Sequence, residues 1–203
     1  MVDSRHPVTN FPPLFALASG VPRTRDDRRD RELFGDLAAG RPAALGEIYD
    51  RHEASLFRHA LALARRREDA EDLVHAVFAD LAAMGPELLG VRHPASYLHR
   101  MLHTTWLDGQ RRTITGERVI DHVASVRAQE VPSVTGASID LDRALDALPP
   151  EQREVVQLHV VEGFSFREIG GLTGVSMFTA AARYRLAMGR MKQTLDPSGR
   201  NQS

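Results

Sequence analysis

The chain contains no cysteine. That excludes a disulfide framework, a thiolate zinc site and a cysteine nucleophile. Net charge is nearly absent as well, −1 over 203 residues, so overall charge alone does not hold this protein on nucleic acid. Long apolar runs are missing: charges interrupt each one well before the roughly 18 to 20 residues of a membrane helix. The start "MVDSRHPVTNFPPLF" lacks the basic opening and small-residue cleavage site of a signal peptide. No membrane insertion is expected, and the cytoplasm is the default location. Lysine is almost absent too. Lys192 stands alone among arginines, an imbalance that the nucleotide composition of the source genome explains as well as any need for bidentate contacts. No hydrolase triad, phosphate-cradling glycine loop or carboxylate pair of recognisable spacing is found, and no cofactor is implied. No stretch carries a strand signal of any strength.

What is present is helical. A hydrophobic fraction of 42% can furnish cores for one ordinary domain or two small ones. Residues 1–30, with Pro7, Pro12, Pro13 and Pro22 and then "RTRDDRRDRE", show no apolar periodicity and are expected to form a flexible tail leading into a helix. From Arg31 to Arg112 the pattern is mostly helical: Leu45, Ile48, Tyr49, His52, Leu56 and Leu63 follow helical spacing, as do Leu73, Val74, Val77, Phe78 and Leu81. Two glycines and two prolines in "MGPELLGVRHPAS" mark a loop, after which a helix is expected from Pro94 to Arg112. Residues 113–138 read as a linker. A second helical domain is expected over 139–196, followed by a short tail, 197–203. The expected fold is all-α: two small helical domains joined by a flexible linker, the second built on a helix-turn-helix.

Within that second domain, Ser165-Phe166-Arg167-Glu168 fits a capping box. Gly174 suits a turn needing positive φ, and Ser176 can cap a following helix. A short helix, a tight turn and a second helix are the grammar of a DNA-reading module. Charge supports the reading. Acids dominate from Asp140 to Glu168, whereas after Ser176 the charges are Arg183, Arg185, Arg190, Lys192 and Arg200 against Asp196. Candidate DNA contacts are Ser176, Met177, Phe178, Thr179, Arg183 and Arg185, with Phe178 either touching a thymine methyl or packing inside.

The stretch "LDALPPEQREVVQLHVVEGFSFREIGGLTGVSMFTAAARYRLAMGRMKQTL" resembles the C-terminal domain of bacterial RNA polymerase sigma factors of the extracytoplasmic-function type. "REDAEDLVHAVFADL" (Arg67 to Leu81) is similar to the family's helix that grips the clamp helices of core polymerase. "SYLHRMLHTTWLDGQRR" is similar to the segment that recognises and melts the minus-ten promoter element. The resemblance implies core polymerase contacts at Asp69, Glu71, Asp72 and His75, and minus-ten contacts at Arg100, His103, Thr104, Trp106, Arg111 and Arg112. It also implies minus-thirty-five recognition by the helix-turn-helix. An aromatic and basic helix face suits single-stranded DNA, because bases stack on rings while arginine tracks the backbone. Trp106 is equally placed to be a core residue. Thr104 stands where the family commonly has asparagine, which removes a bidentate amide. On the same stretch, Leu98, Met101, Leu102 and Thr105 form the expected core side, and His99, His103, Trp106 and Gln110 a separate stripe.

The implied partners are core RNA polymerase, through the clamp helices of its largest subunit and its flap, then promoter DNA and an anti-sigma factor. The implied action is promoter recognition and melting without a reaction of its own. Two rivals stand beside it. A stand-alone helix-turn-helix regulator, binding an operator as a dimer, leaves the acidic "DAEDLVHAVF" helix unexplained. A helical metal enzyme could use His99 and His103 at i and i+4, but no third ligand has a recognisable spacing.

Overall fold

The computed structural model describes residues 24–114 and 136–195. Among them every regular element is helical: α1 Thr24–Ala38, α2 Ala43–Ala64, α3 Arg67–Ala83, a 3-10 turn Pro86–Gly90, α4 Pro94–Ile114, α5 Gly136–Asp146, α6 Pro150–Val156, a π turn Gln157–Val161, α7 Phe166–Thr173 and α8 Met177–Leu195. Of the expected tail 1–30, residues 1–23 lie outside the described residues, as do 115–135 of the expected linker 113–138 and the whole C-terminal tail 197–203.

Helices α1 to α4 share one core. Phe34, Ile48, Leu56, Val77, Leu81, Leu98 and Leu102 meet at its centre, with Leu88 of the 3-10 turn closing one end. The apolar spacing of α2, α3 and α4 turns one stripe of each inward, and burying those stripes is what makes the helices stable. Ile48, Leu56 and Leu63 are buried as their spacing predicts, whereas Leu45, Tyr49 and Leu73 are only partly covered.

Helices α4 and α5 reach Ile114 and Gly136, slightly inside the stretch expected as linker, and the first boundary differs more. Helix α1 begins at Thr24, inside the stretch read as a tail, and Asp27 and Asp30 are buried. The reason is tertiary. Arg51 Nε on α2 donates to Asp30 Oδ1 at 2.7 Å, and His52 Nε2 stands 3.1 Å from the other carboxylate oxygen. Burial alone would raise the Asp30 carboxyl, but His52 and Arg51 outweigh it and hold it below the ordinary range. Charges that look like a solvated tail are therefore half of an inter-helix pairing.

Helices α5 to α8 build two smaller, touching clusters. Val155, Leu158, Phe164, Ile169, Leu172 and Ala180 form one; Ala144, Leu148, Val156, Ala187 and Met191 form the other, and Tyr184 packs on both. The helix expected from Pro150 up to Gly163 does not run regularly. After Val156 it widens into the π turn, where Glu162 N–H bonds back to Gln157 O at 3.1 Å and Phe164 N–H to Leu158 O at 2.8 Å.

The two sets of helices are packed on each other and cap each other's ends. Helix α2 stops at Arg65, which takes a positive φ of 66°, a conformation uncommon for a residue with a Cβ. From there the Arg65 guanidinium donates to Asp146 O at 2.7 Å and Leu148 O at 3.0 Å, at the end of α5. Reciprocally, Arg153 Nε on α6 donates to Ala62 O at 2.6 Å, in the last turn of α2. Carbonyls left over at both helix ends thus find donors across the contact.

Candidate nucleic-acid interface

The C-terminal module is assembled from local rules. Ser165 Oγ accepts from Glu168 N–H, and the Glu168 carboxylate accepts from Ser165 N–H at 2.7 Å, closing the capping box that starts α7. Gly174 ends α7 at φ 73°, where any side chain would be strained. A second glycine sets the approach of the two helices: a Cβ at Gly170 would lie 2.7 Å from Val175 O and 3.1 Å from Met177 N. Ser176 Oγ then accepts from Thr179 N–H at 3.0 Å and starts α8.

The first turn of α8 faces outward. Ser176, Met177, Phe178 and Thr179 are exposed, Phe178 to 73%. Ala180, the next residue, is fully buried. Of the two alternatives for Phe178, packing inside does not occur. Arg185 is exposed and Arg183 partly so, one turn further along. Apolar atoms and a helix N-terminus followed by guanidinium groups can touch thymine methyls and phosphate oxygens.

The candidate residues of α3 lie along its outer side. Asp72 and His75 are exposed, while Asp69 and Glu71 are partly covered. Arginines share this surface: Arg67 Nε is 2.8 Å from Glu71, and Arg66 Nε is 4.0 Å from Asp69. Exposed pairs of this kind contribute little to stability, about 0 to 1 kcal/mol, and remain available to a partner.

On α4 the candidates divide. Arg111 and Arg112 are exposed, with Arg111 3.2 Å from Asp108, and Arg100 and Thr104 are partly exposed. Leu98, Met101 and Leu102 are buried as expected, with Thr105 partly covered. Trp106 is partly buried on the first core, so the core alternative holds for much of its ring, and its Nε1 has no partner among the described residues. His103 departs from the reading as an open DNA contact. It is buried, and its Nδ1 donates to Glu154 Oε1 at 2.7 Å. Of that stripe, His103 is turned towards α6 and His99 towards the residues before α7. Phe164 sets its edge on the His99 ring at 5.2 Å. Two polar side chains, His59 and Glu154, complete this contact, and the sequence reading did not single them out. A lone histidine inside an apolar helix face, as His59 is in "FRHALAL", was the available signal.

Glu154 is the anion of the contact. It is 0% exposed, and Oε1 also accepts from His59 Nε2 at 2.9 Å. Burial acts to raise its carboxyl, but the bonds from His103 and His59 outweigh that and lower it to about 2. Arg153 beside it is lowered too, to about 10, by burial and by the neighbouring Arg65, which disfavours its charged form. His99, the second member of the metal-spaced pair, bonds to His59 and Ser55. Among the described residues no group of three or more His, Asp or Glu is arranged to hold a metal ion, and no helix is long and apolar enough to cross a membrane.

Comparison with known proteins agrees with this architecture. Residues 138–191 match the family Sigma-70, region 4. The extracytoplasmic-function RNA polymerase sigma factor SigM of Mycobacterium tuberculosis is 28% identical over 172 residues, which span 84% of this chain and 87% of SigM. The RNA polymerase sigma factor CarQ of Myxococcus xanthus is 31% identical over 169 residues, 79% of this chain and 91% of CarQ. Among solved structures, CnrH in complex with the cytosolic domain of CnrY has the same fold, with a TM-score of 0.57 at 24% identity over 82% of this chain and 97% of that one. The sigma factor RpoE bound to the anti-sigma factor NepR from Bartonella quintana follows, with a TM-score of 0.51 at 23% identity over 73% of this chain and 96% of RpoE. Relatives that match both helix sets leave the operator-binding dimer without support. With a helix-turn-helix whose reading turn is exposed, and sigma factors aligned along most of its length, the chain belongs to the RNA polymerase sigma factors of the extracytoplasmic-function type, which direct transcription initiation.

Proposed function

We propose that the protein binds core RNA polymerase through the outer side of α3, at Asp69, Glu71, Asp72 and His75, and reads the minus-thirty-five element with the start of α8. The minus-ten element is engaged by α4, through Arg100, Thr104, Trp106, Arg111 and Arg112, with His103 joining once α4 and α6 separate. The protein works in the cytoplasm and catalyses no reaction of its own; bound to polymerase, it supplies promoter recognition and melting. An anti-sigma factor is a further partner, as NepR is for RpoE.

The observation that carries this reading is the start of α8. Four consecutive exposed residues, Ser176 to Thr179, are presented at the helix start by a side-chain cap and a left-handed glycine turn. Near-zero net charge makes weak intrinsic DNA affinity the expectation, with polymerase supplying the remaining phosphate contacts. The test is reconstitution with core polymerase on duplex and pre-melted promoter DNA. Co-elution with core enzyme and promoter-dependent transcripts are expected; no co-elution would overturn the reading.

A further inference from the structure

The start of α8 offers carbon to its surroundings and almost no hydrogen-bonding atoms. From Ser176 to Ala182 the chain reads "SMFTAAA", without one Asn, Gln, Asp, Glu, Arg or Lys. Those are the side chains that tell the edges of adenine, guanine and cytosine apart by hydrogen bonds. The two hydroxyls present are engaged with each other. Ser176 Oγ and Thr179 Oγ1 lie 2.8 Å apart and share one hydrogen, while Ser176 Oγ also accepts from Thr179 N–H at 3.0 Å. One hydroxyl hydrogen is left over, and a rotating hydroxyl donates or accepts as the edge requires, so it does not choose among bases.

The carbon is laid out along one face. Ala180 is fully buried in the core of the module, whereas Met177 is 41% and Phe178 73% exposed. On the face of Phe178, Ala181 and Ala182 follow at i+3 and i+4, both partly exposed, and Arg185 at i+7 is exposed. At a rise of 1.5 Å per residue, the ring and the guanidinium arise about 10 Å apart along the axis, or about three base steps of roughly 3.4 Å. Only methyl groups stand between them, and side chains that short let the helix backbone come close to the base edges. In the major groove the carbon that projects from a base edge is the C5-methyl of thymine. Apolar contact with that methyl is how such a surface tells one base from another.

We propose that α8 reads its promoter element through methyl groups, Phe178 with Met177, Ala181 and Ala182 selecting pyrimidines that carry a C5-methyl, which in unmodified DNA means thymine. The inference rests on the proposed reading of the minus-thirty-five element by α8. Charge on the helix favours DNA over a protein as the occupant of this face. Every charged residue of α8 is basic, Arg183, Arg185, Arg190 and Lys192, and the amides at the helix start add to the attraction for phosphate. Phosphate contacts hold the helix in place without choosing a sequence. The exposed ring has no donor for phosphate, but it gains when its water-covered surface is buried against a methyl.

The test uses holoenzyme reconstituted from the full chain and core polymerase. Bound duplexes are selected from a pool randomised across the minus-thirty-five region, which fixes the bases preferred there. At each fixed thymine, duplexes with thymine or uracil opposite adenine, and with 5-methylcytosine or cytosine opposite guanine, are then compared with all else unchanged. At one position or more, the methylated base is expected to bind about fourfold more tightly than its unmethylated partner in both pairs, the worth of one buried carbon. In F178A both ratios should fall to about one, while the salt dependence set by phosphate contacts stays as in the parent and shows that the helix still docks. The absence of any fixed thymine, ratios near one in the parent, or ratios that survive in F178A overturn the inference; the last would put the ring against a protein surface. Failure of the underlying reading looks different. A pool that yields no preferred base across the region sinks the role of α8 and this inference with it, whereas a preferred sequence indifferent to the methyl sinks the inference alone.

Discussion

His59 on α2 and Glu154 on α6, 95 positions apart in the chain, meet at 2.9 Å in a site where neither is exposed to solvent. A carboxylate held at about 2 contributes stability that is fully present above its ordinary value of 4.5 and is lost as the pH falls from there towards 2. Glu154→Gln keeps the shape and removes the charge. We expect it to cost about 2 kcal/mol at neutral pH, the worth of a bond to a charged group, and nothing by about pH 2. Denaturant melts of both proteins across that range give the comparison; a deficit that persists at low pH would show that packing, not charge, was lost.

Asp30 offers an independent test at the other end of the molecule. Its carboxylate ties α1 to α2 through Arg51 and His52. Asp30→Asn should destabilise α1 by about 1.5 to 3 kcal/mol. Because the Asp30 carboxyl is lowered in the folded protein, the loss should shrink as the pH drops below the ordinary carboxylate range. Hydrogen exchange of α1 amides reports it directly, and unchanged protection would mean that α1 is held by Leu33 and Phe34 alone.

Ser165→Ala opens the capping box of α7. A cost of about 1 kcal/mol is expected, seen as a lower thermal midpoint for the C-terminal helices. No change in midpoint would mean that the Gly174 turn and the packing of Ile169 and Leu172 suffice to set the helix start.

Phe178 and Arg183 separate reading from gripping. Phe178→Ala should leave stability within about 0.5 kcal/mol, since the ring is 73% exposed, yet alter discrimination among promoter variants in the minus-thirty-five region. Arg183→Ala should weaken holoenzyme binding on all promoters alike and lower the salt slope by about 1. Equal promoter preference before and after the Phe178 change would place that ring outside the DNA.

The helix-turn-helix was legible residue by residue because its determinants are local. A capping box, a left-handed glycine and a capping serine act within a few positions and fold the same way wherever the chain goes. The core stripes of α2, α3 and α4 were legible for the same reason, spacing alone choosing the inward face. Other features depended on partners distant in sequence. Asp30 reads as a solvated charge until Arg51 is beside it, and His103 reads as a DNA contact until Glu154 covers it. The sequence by itself determined most of the helices, the capped turn between α7 and α8 and the family. Only the tertiary structure decided which polar side chains are buried together, because a buried charge is tolerable only against a specific partner, and in this chain those partners are brought together by packing, not by spacing.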